Sequence, residues 1–193
     1  MGVIPLMTLS LAIDTSTSRT SVAILDGSRV KWSAHHDGAL DHGKALSEIV
    51  SQALQQDAKF EKVYVGMGPG PFTGLRVGIS FAWSFALARK IEVVGVCSLD
   101  AITSEAAEYV AATDARRKEI YWARYQDGIR IEGPSVSAPN TVSAPIFIGE
   151  GAFKYGLANQ PQFPDLALFP SLSAVTEPMY LRRPDAVPTS ERA

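Results

Sequence analysis

The chain has a single cysteine, Cys97, in 193 residues, which excludes an internal disulfide and any metal site built on paired thiolates. A lone thiol of this kind reads as a small buried apolar residue. Net charge is also small: 18 Lys and Arg stand against 20 Asp and Glu, giving -2 at neutral pH. That leaves no broad basic face for direct binding of tRNA or DNA, and Arg116-Arg-Lys118 and Arg182-Arg183 read as solvated turns. No apolar run approaches the roughly 20 residues of a membrane-spanning helix. Residues 1–12 are mildly apolar but contain Pro5 and have no basic leading region, so they read as the approach to a strand and not as a signal peptide. The expectation is a cytoplasmic protein that makes no membrane contact.

Hydrophobic residues make up 46% and charged residues 20%, the balance of a globular protein of one domain or two small lobes. The most telling stretch is 66–74, where four glycines and two prolines precede a strongly apolar segment. Such a turn either cradles a phosphate with backbone N–H groups or lets a strand and a helix pack closely. It lacks the lysine of a P-loop, and Pro71 breaks the dinucleotide fingerprint at its third glycine. Gly68, Gly70 and Gly74 are expected to form a structural turn, with Thr73 capping the helix that follows.

That helix, expected over 74–90, carries Leu75, Val77, Ile79, Phe81, Trp83, Phe85 and Leu87 around its whole circumference. A helix apolar all round is buried on more than one side, either inside one domain or between its own sheet and a partner. Strands are expected over 8–14, 20–25 and 29–35, then an amphipathic helix over 41–56 with Leu46, Ile49, Val50 and Leu54 at helical spacing. A strand over 62–66, the apolar helix, a strand over 92–96 and a short helix from Ser98 complete a β-β-β-α-β-α-β-α order. Strands over 109–113 and 119–125 open a second, smaller lobe joined by the turn 114–118, whose role stays open between a turn and a partner or tRNA contact. Prolines and serines over 133–145 interrupt regular structure, 146–148 reads as the last strand, and the segment after Pro184 reads as a mobile tail.

Candidate chemistry is sparse. His35, His36 and His42 lack the i, i+4 spacing that puts two imidazoles on one helix face, and they read as ordinary surface residues with no metal site. Ser80, Ser84 and Ser98 have no nucleophile elbow around them, and Cys97 has no cue for an activating histidine.

Five motifs in register resemble the TsaB family of bacterial tRNA threonylcarbamoyladenosine biosynthesis proteins: Leu11-Ala-Ile-Asp-Thr-Ser-Thr17, Gly68-Pro-Gly-Pro-Phe-Thr-Gly-Leu-Arg-Val-Gly78, Val94-Gly-Val-Cys-Ser-Leu-Asp100, Asp114-Ala-Arg-Arg-Lys-Glu-Ile-Tyr121 and Glu177-Pro-Met-Tyr-Leu-Arg182. The resemblance covers most of the chain. It implies an α/β fold of two ribonuclease-H-like lobes of the actin, sugar-kinase and Hsp70 type, with an N-terminal lobe over 1–107 and a reduced C-terminal lobe over 108–193. It also implies a non-catalytic subunit with no cofactor of its own, which dimerises with and activates a TsaD-like catalytic subunit and helps recruit a TsaE-like ATPase. The complex transfers a threonylcarbamoyl group to N6 of adenosine 37 in tRNAs that read codons starting with A.

By the same resemblance, docking runs through the two N-terminal-lobe helices, at Leu46, Ile49, Val50, Phe81, Trp83 and Leu87. Without its partner the chain is expected to form a homodimer. Asp14, Thr15 and Ser16 match the place where nucleotide-binding relatives hold phosphate or metal, so weak nucleotide binding falls to them. The turn beside them has no glycine, and no glycine-rich adenosine pocket follows Gly151. The alternative is a stand-alone enzyme of this fold, either nucleotide-dependent or a metal-dependent glycoprotease-like peptidase.

Overall fold

The computed structural model describes residues 9–57 and 59–182. The tail expected after Pro184 and the residues ahead of the first strand lie outside these. Strands β1 (Leu9–Asp14), β2 (Arg19–Asp26) and β3 (Arg29–Asp37) form an antiparallel meander. Helix α1 (His42–Gln56) leads to β4 (Lys62–Gly66), then α2 (Phe72–Arg89) leads to β5 (Glu92–Val96). The sheet order is β3-β2-β1-β4-β5, with β4 and β5 parallel to β1. Every residue of β1 is buried, because this central strand is covered on both faces.

The two faces are covered by different means. Leu11, Ile13, Val22, Ile24, Val63 and Val65 pack under α1 and α2. On the reverse face, Ala12, Ala23, Leu25 and Val96 pack against Leu166 and Phe169 of a 3-10 helix, Leu166–Ser171. The small residues on this side leave space that the Phe169 ring fills, and Phe169 is fully buried.

A second sheet has the order β8-β7-β6-β9, built from β6 (Glu108–Asp114), β7 (Ile120–Gln126), β8 (Ile129–Ser137) and β9 (Phe147–Ile148). Helix α3 (Glu150–Lys154) packs on one face. Tyr109, Ala111, Ala123 and Tyr125 on the other meet Cys97, Leu99 and Ile102 from the first lobe. This is the two-lobe α/β architecture that the motifs imply.

Three details differ from expectation. Residues 133–137 belong to β8 despite Pro134, since β8 is an edge strand where a missing N–H costs no ladder bond. The segment from Ser98 is a 3-10 helix, Ser98–Ala101, too short to be an α-helix. Helix α2 begins at Phe72, with Pro71 in the N-cap position and no side-chain cap, so Thr73 lies inside the first turn and cannot cap it.

Candidate functional site

Asp14 closes β1 and is 1% exposed. Its Oδ1 accepts hydrogen bonds from the Ser16 amide at 2.9 Å and the Ser16 hydroxyl at 2.7 Å, and its Oδ2 accepts from the Ser98 hydroxyl at 2.6 Å. Burial pushes the Asp14 carboxyl above its ordinary range, the three hydrogen bonds oppose that shift, and Glu150 across the cleft adds to it. Thr15 Oγ1 donates to the Gly74 carbonyl at 2.8 Å, which joins the hairpin turn to the first turn of α2.

The glycine turn fits around this hairpin. A Cβ at Gly66 would lie 1.9 Å from Asp14 Oδ2, and one at Gly70 would lie 2.3 Å from the Ser16 carbonyl oxygen. Gly68 has φ +93, a conformation that side chains strain to adopt. At Gly70 the turn therefore lies directly against the Ser16 backbone.

His42 is also part of this cluster, at 5% exposure, with Nδ1 2.8 Å from Thr20 Oγ1. Burial lowers its affinity for a proton, and the Arg116 guanidinium lowers it further. The expectation of a surface histidine is corrected here: His42 opens α1, and the amphipathic helix turns it towards the sheet. His35 and His36 are exposed. Among the described residues, no three His, Cys, Asp or Glu side chains group as metal ligands.

Residues that sequence reasoning missed tie the two lobes together. The Ser18 amide donates to Glu150 Oε1 at 3.2 Å, and the Ser18 hydroxyl donates to the same carboxylate. Asp100 accepts from Tyr125 Oη at 2.7 Å and lies 3.6 Å from the Arg130 guanidinium, which in turn donates to Cys97 Sγ at 3.2 Å. Burial pushes the Cys97 thiol up to about 11, so it is no thiolate nucleophile. The Gly149-Glu-Gly151 sequence was the available signal for Glu150, and the Val94–Asp100 motif the one for Asp100; Arg130 had none.

The expected docking residues divide. Leu46, Ile49 and Val50 are 1%, 5% and 3% exposed and belong to the chain's own core, so that part of the docking expectation is corrected. Helix α1 turns a polar face outward, with Lys44, Ser47, Glu48, Ser51 and Gln52 exposed. On α2, Leu75, Ile79, Ala82 and Ala86 face the core while Trp83 and Leu87 are 54% and 81% exposed. Phe81 is half-buried and stacks on Phe85. Phe72, at 39% exposure, falls within about 60° of Trp83 and Leu87 around the helix axis, so the three lie along one side of α2, with the Arg76 guanidinium over the Phe72 ring between them.

A family model described as TsaD, tRNA N6-adenosine threonylcarbamoyltransferase, matches residues 36–145, more than half of the chain. The chain belongs to this family and is of its TsaB, or YeaZ, type. A TsaB of Escherichia coli is 34% identical over 127 residues, 60% of this chain and 54% of that protein. An uncharacterized protein of Mycobacterium leprae is 41% identical, over 94% of this chain and 57% of its own length. The chain thus spans a little over half the length of each of these two relatives. A crystal structure from Pseudomonas aeruginosa, described as similar to the peptidase YEAZ, superposes with a TM-score of 0.74 at 27% identity, covering 91% of this chain and all of that one. The TsaB-type fold therefore extends over both lobes.

Proposed function

We propose that this TsaB-type chain is a non-catalytic subunit of the machinery that places a threonylcarbamoyl group on N6 of adenosine 37 in tRNA. The observation that carries the reading is the exposure of Phe72, Trp83 and Leu87 along one side of a helix whose other side is already buried. Large side chains left in water along one helix face suit a helix of a partner, since covering them removes apolar area from solvent. The partner is a TsaD-like catalytic subunit, docked on the N-terminal lobe over 1–107 and activated by it. A TsaE-like ATPase joins this pair, and tRNA is engaged through the complex and not by the chain alone. The closed packing of Asp14, Thr15 and Ser16 against the glycine turn supports the absence of catalysis by this chain.

The test is size-exclusion chromatography of the chain with the TsaD-like subunit from the same genome, followed by threonylcarbamoyl transfer to tRNA. A stable stoichiometric complex that transfers, with Trp83→Glu abolishing both, is the expected result. Separate elution of the two wild-type proteins would overturn the proposal. So would saturable, stoichiometric Mg-ATP binding with turnover by the chain alone, the outcome of the stand-alone enzyme alternative.

A further inference from the structure

The Glu177-Pro-Met-Tyr-Leu-Arg182 motif has no part in the site described so far. Its chain path is unusual. The strand-like stretch before it lies along the open edge of β5, with a bridge between Val96 and Ala174 and the Val175 amide donating to the Gly95 carbonyl at 2.8 Å. The Met179 amide then donates to the carbonyl of Met67, at the start of the glycine turn, at 2.8 Å. The Tyr180 ring sits 5.0 Å from the ring of Phe72, the first residue of α2. Arg182 reaches the second lobe, where its Nη1 donates to the Ala115 carbonyl at 3.1 Å and its guanidinium pairs with the Glu119 carboxylate. Within four consecutive residues, Met179, Tyr180 and Arg182 thus hold the glycine turn, the start of α2 and the β6–β7 turn.

We infer that residues 179–182 are a clasp that sets the docking face, with Arg182 as a positioning residue acting through Tyr180. The inference rests on the docking reading above. Tyr180 and Leu181 are 41% and 36% exposed, and Tyr180 extends the Phe72–Trp83–Leu87 side beyond the end of the helix. A tyrosine on a short irregular segment has no helix or strand to fix its direction. The guanidinium anchored at the far end supplies that restraint, because two bonds to one turn hold a planar fork in a single orientation. The Ala115 carbonyl and Glu119 are held by the turn's own hydrogen bonds, Ala115 amide to Glu119 carbonyl at 3.0 Å and Glu119 amide to Arg116 carbonyl at 2.9 Å. The second lobe therefore shapes a surface that lies on the first.

The experiment uses the full chain and the TsaD-like subunit, with dissociation constants from calorimetry for wild type, Tyr180→Ala, Arg182→Ala and the double variant. Each single change is expected to weaken binding roughly tenfold, and the double variant to bind like Tyr180→Ala, since the two residues act as one unit. Tyr180→Phe keeps the ring contact and is expected to bind as wild type. Glu119→Gln removes the charge that pairs with Arg182 and weakens the anchor from the opposite side, so it reports on the clasp even where Arg182→Ala fails to fold. Unchanged binding in Arg182→Ala and Glu119→Gln, or losses that multiply in the double variant, would overturn the clasp. Trp83→Glu separates the two levels. If it abolishes binding while the clasp variants bind normally, only the clasp falls; if it binds as wild type, the docking reading falls and takes the clasp with it.

Discussion

The two sheets repeat one arrangement. In each, a central strand pairs antiparallel with its successor and parallel with a later strand, β2–β1–β4 in the first and β7–β6–β9 in the second. In each, the central strand ends on a buried aspartate, Asp14 or Asp114, beside a glycine-containing turn that leads into a helix. The contents then diverge. Helices of 15 and 18 residues cover the first sheet, whereas α3 on the second has 5. Asp14 is held by hydroxyls and an amide, while Asp114 is held by Lys154 Nζ at 2.6 Å, the Arg116 amide at 3.0 Å and Tyr155 Oη at 3.2 Å. The Lys154 contact ties α3 to the end of β6. The comparison teaches that the second lobe braces the first, through Glu150 to Ser18, while the long helix with Trp83 and Leu87 in solvent stands on the first.

The largest expected effect tests whether the two halves unfold as one. Phe169→Ala should cost about 3–5 kcal/mol, because it empties the reverse face of the first sheet. Since residue 169 reaches that face from beyond the second sheet, denaturation followed by circular dichroism should still show one shared transition. Two separated transitions would break the picture of mutual bracing.

Next in size is a contrast of glycines. Gly70→Ala drives a Cβ into the Ser16 backbone and should cost about 1–3 kcal/mol or prevent folding. Gly128→Ala, in the β7–β8 turn, meets no atom within 4 Å and bears only the strain of φ +76, about 1 kcal/mol. Urea melts of both variants give the ranking, and equal losses would contradict the packing argument.

The two aspartates differ in what an amide in their place should do. The Asp14 carboxyl is raised, so the stability its proton contributes is full below the ordinary carboxylate pKa and is lost as pH rises through the raised value. Asp14→Asn retains an acceptor for Ser16 and offers a donor to Ser98, which removes this dependence. Relative to wild type the variant should gain stability as pH rises above the ordinary carboxylate range, as read from melts at each pH. Asp114→Asn should instead lose about 1 kcal/mol at neutral pH through its broken contact with Lys154. The smallest expected change is a gain: Gly43→Ala, in the first turns of α1 with open space around it, should stabilise by about 0.5–1 kcal/mol.

Most of the elements were legible because their signals are local. The alternation in β2, the helical spacing of Leu46, Ile49 and Val50, and the apolar run of α2 each declare an element without reference to the rest of the chain. The resemblance put docking on α1 at Leu46, Ile49 and Val50, and spacing alone did not declare that this apolar stripe faces the chain's own sheet. The strand β8 was hidden by Pro134, because edge position is a property of the sheet and not of the segment. His42 looked like any surface histidine until Thr20 was brought to it.

By itself, the sequence determined the order of elements up to β5, the glycine turn at the head of an all-apolar helix, the want of thiol pairs and the TsaB-type motifs. These follow from residue identity and short-range periodicity. Only the tertiary structure decided that Ser98, 84 residues from Asp14, would share its carboxylate, and that Glu150, 132 residues from Ser18, would join the lobes. It alone left Trp83 in solvent while burying Leu46, and carried Arg182 to the second lobe. The reason is physical: burial and hydrogen-bond partnership belong to pairs of surfaces, and a sequence specifies such a pair only after the chain between them has folded.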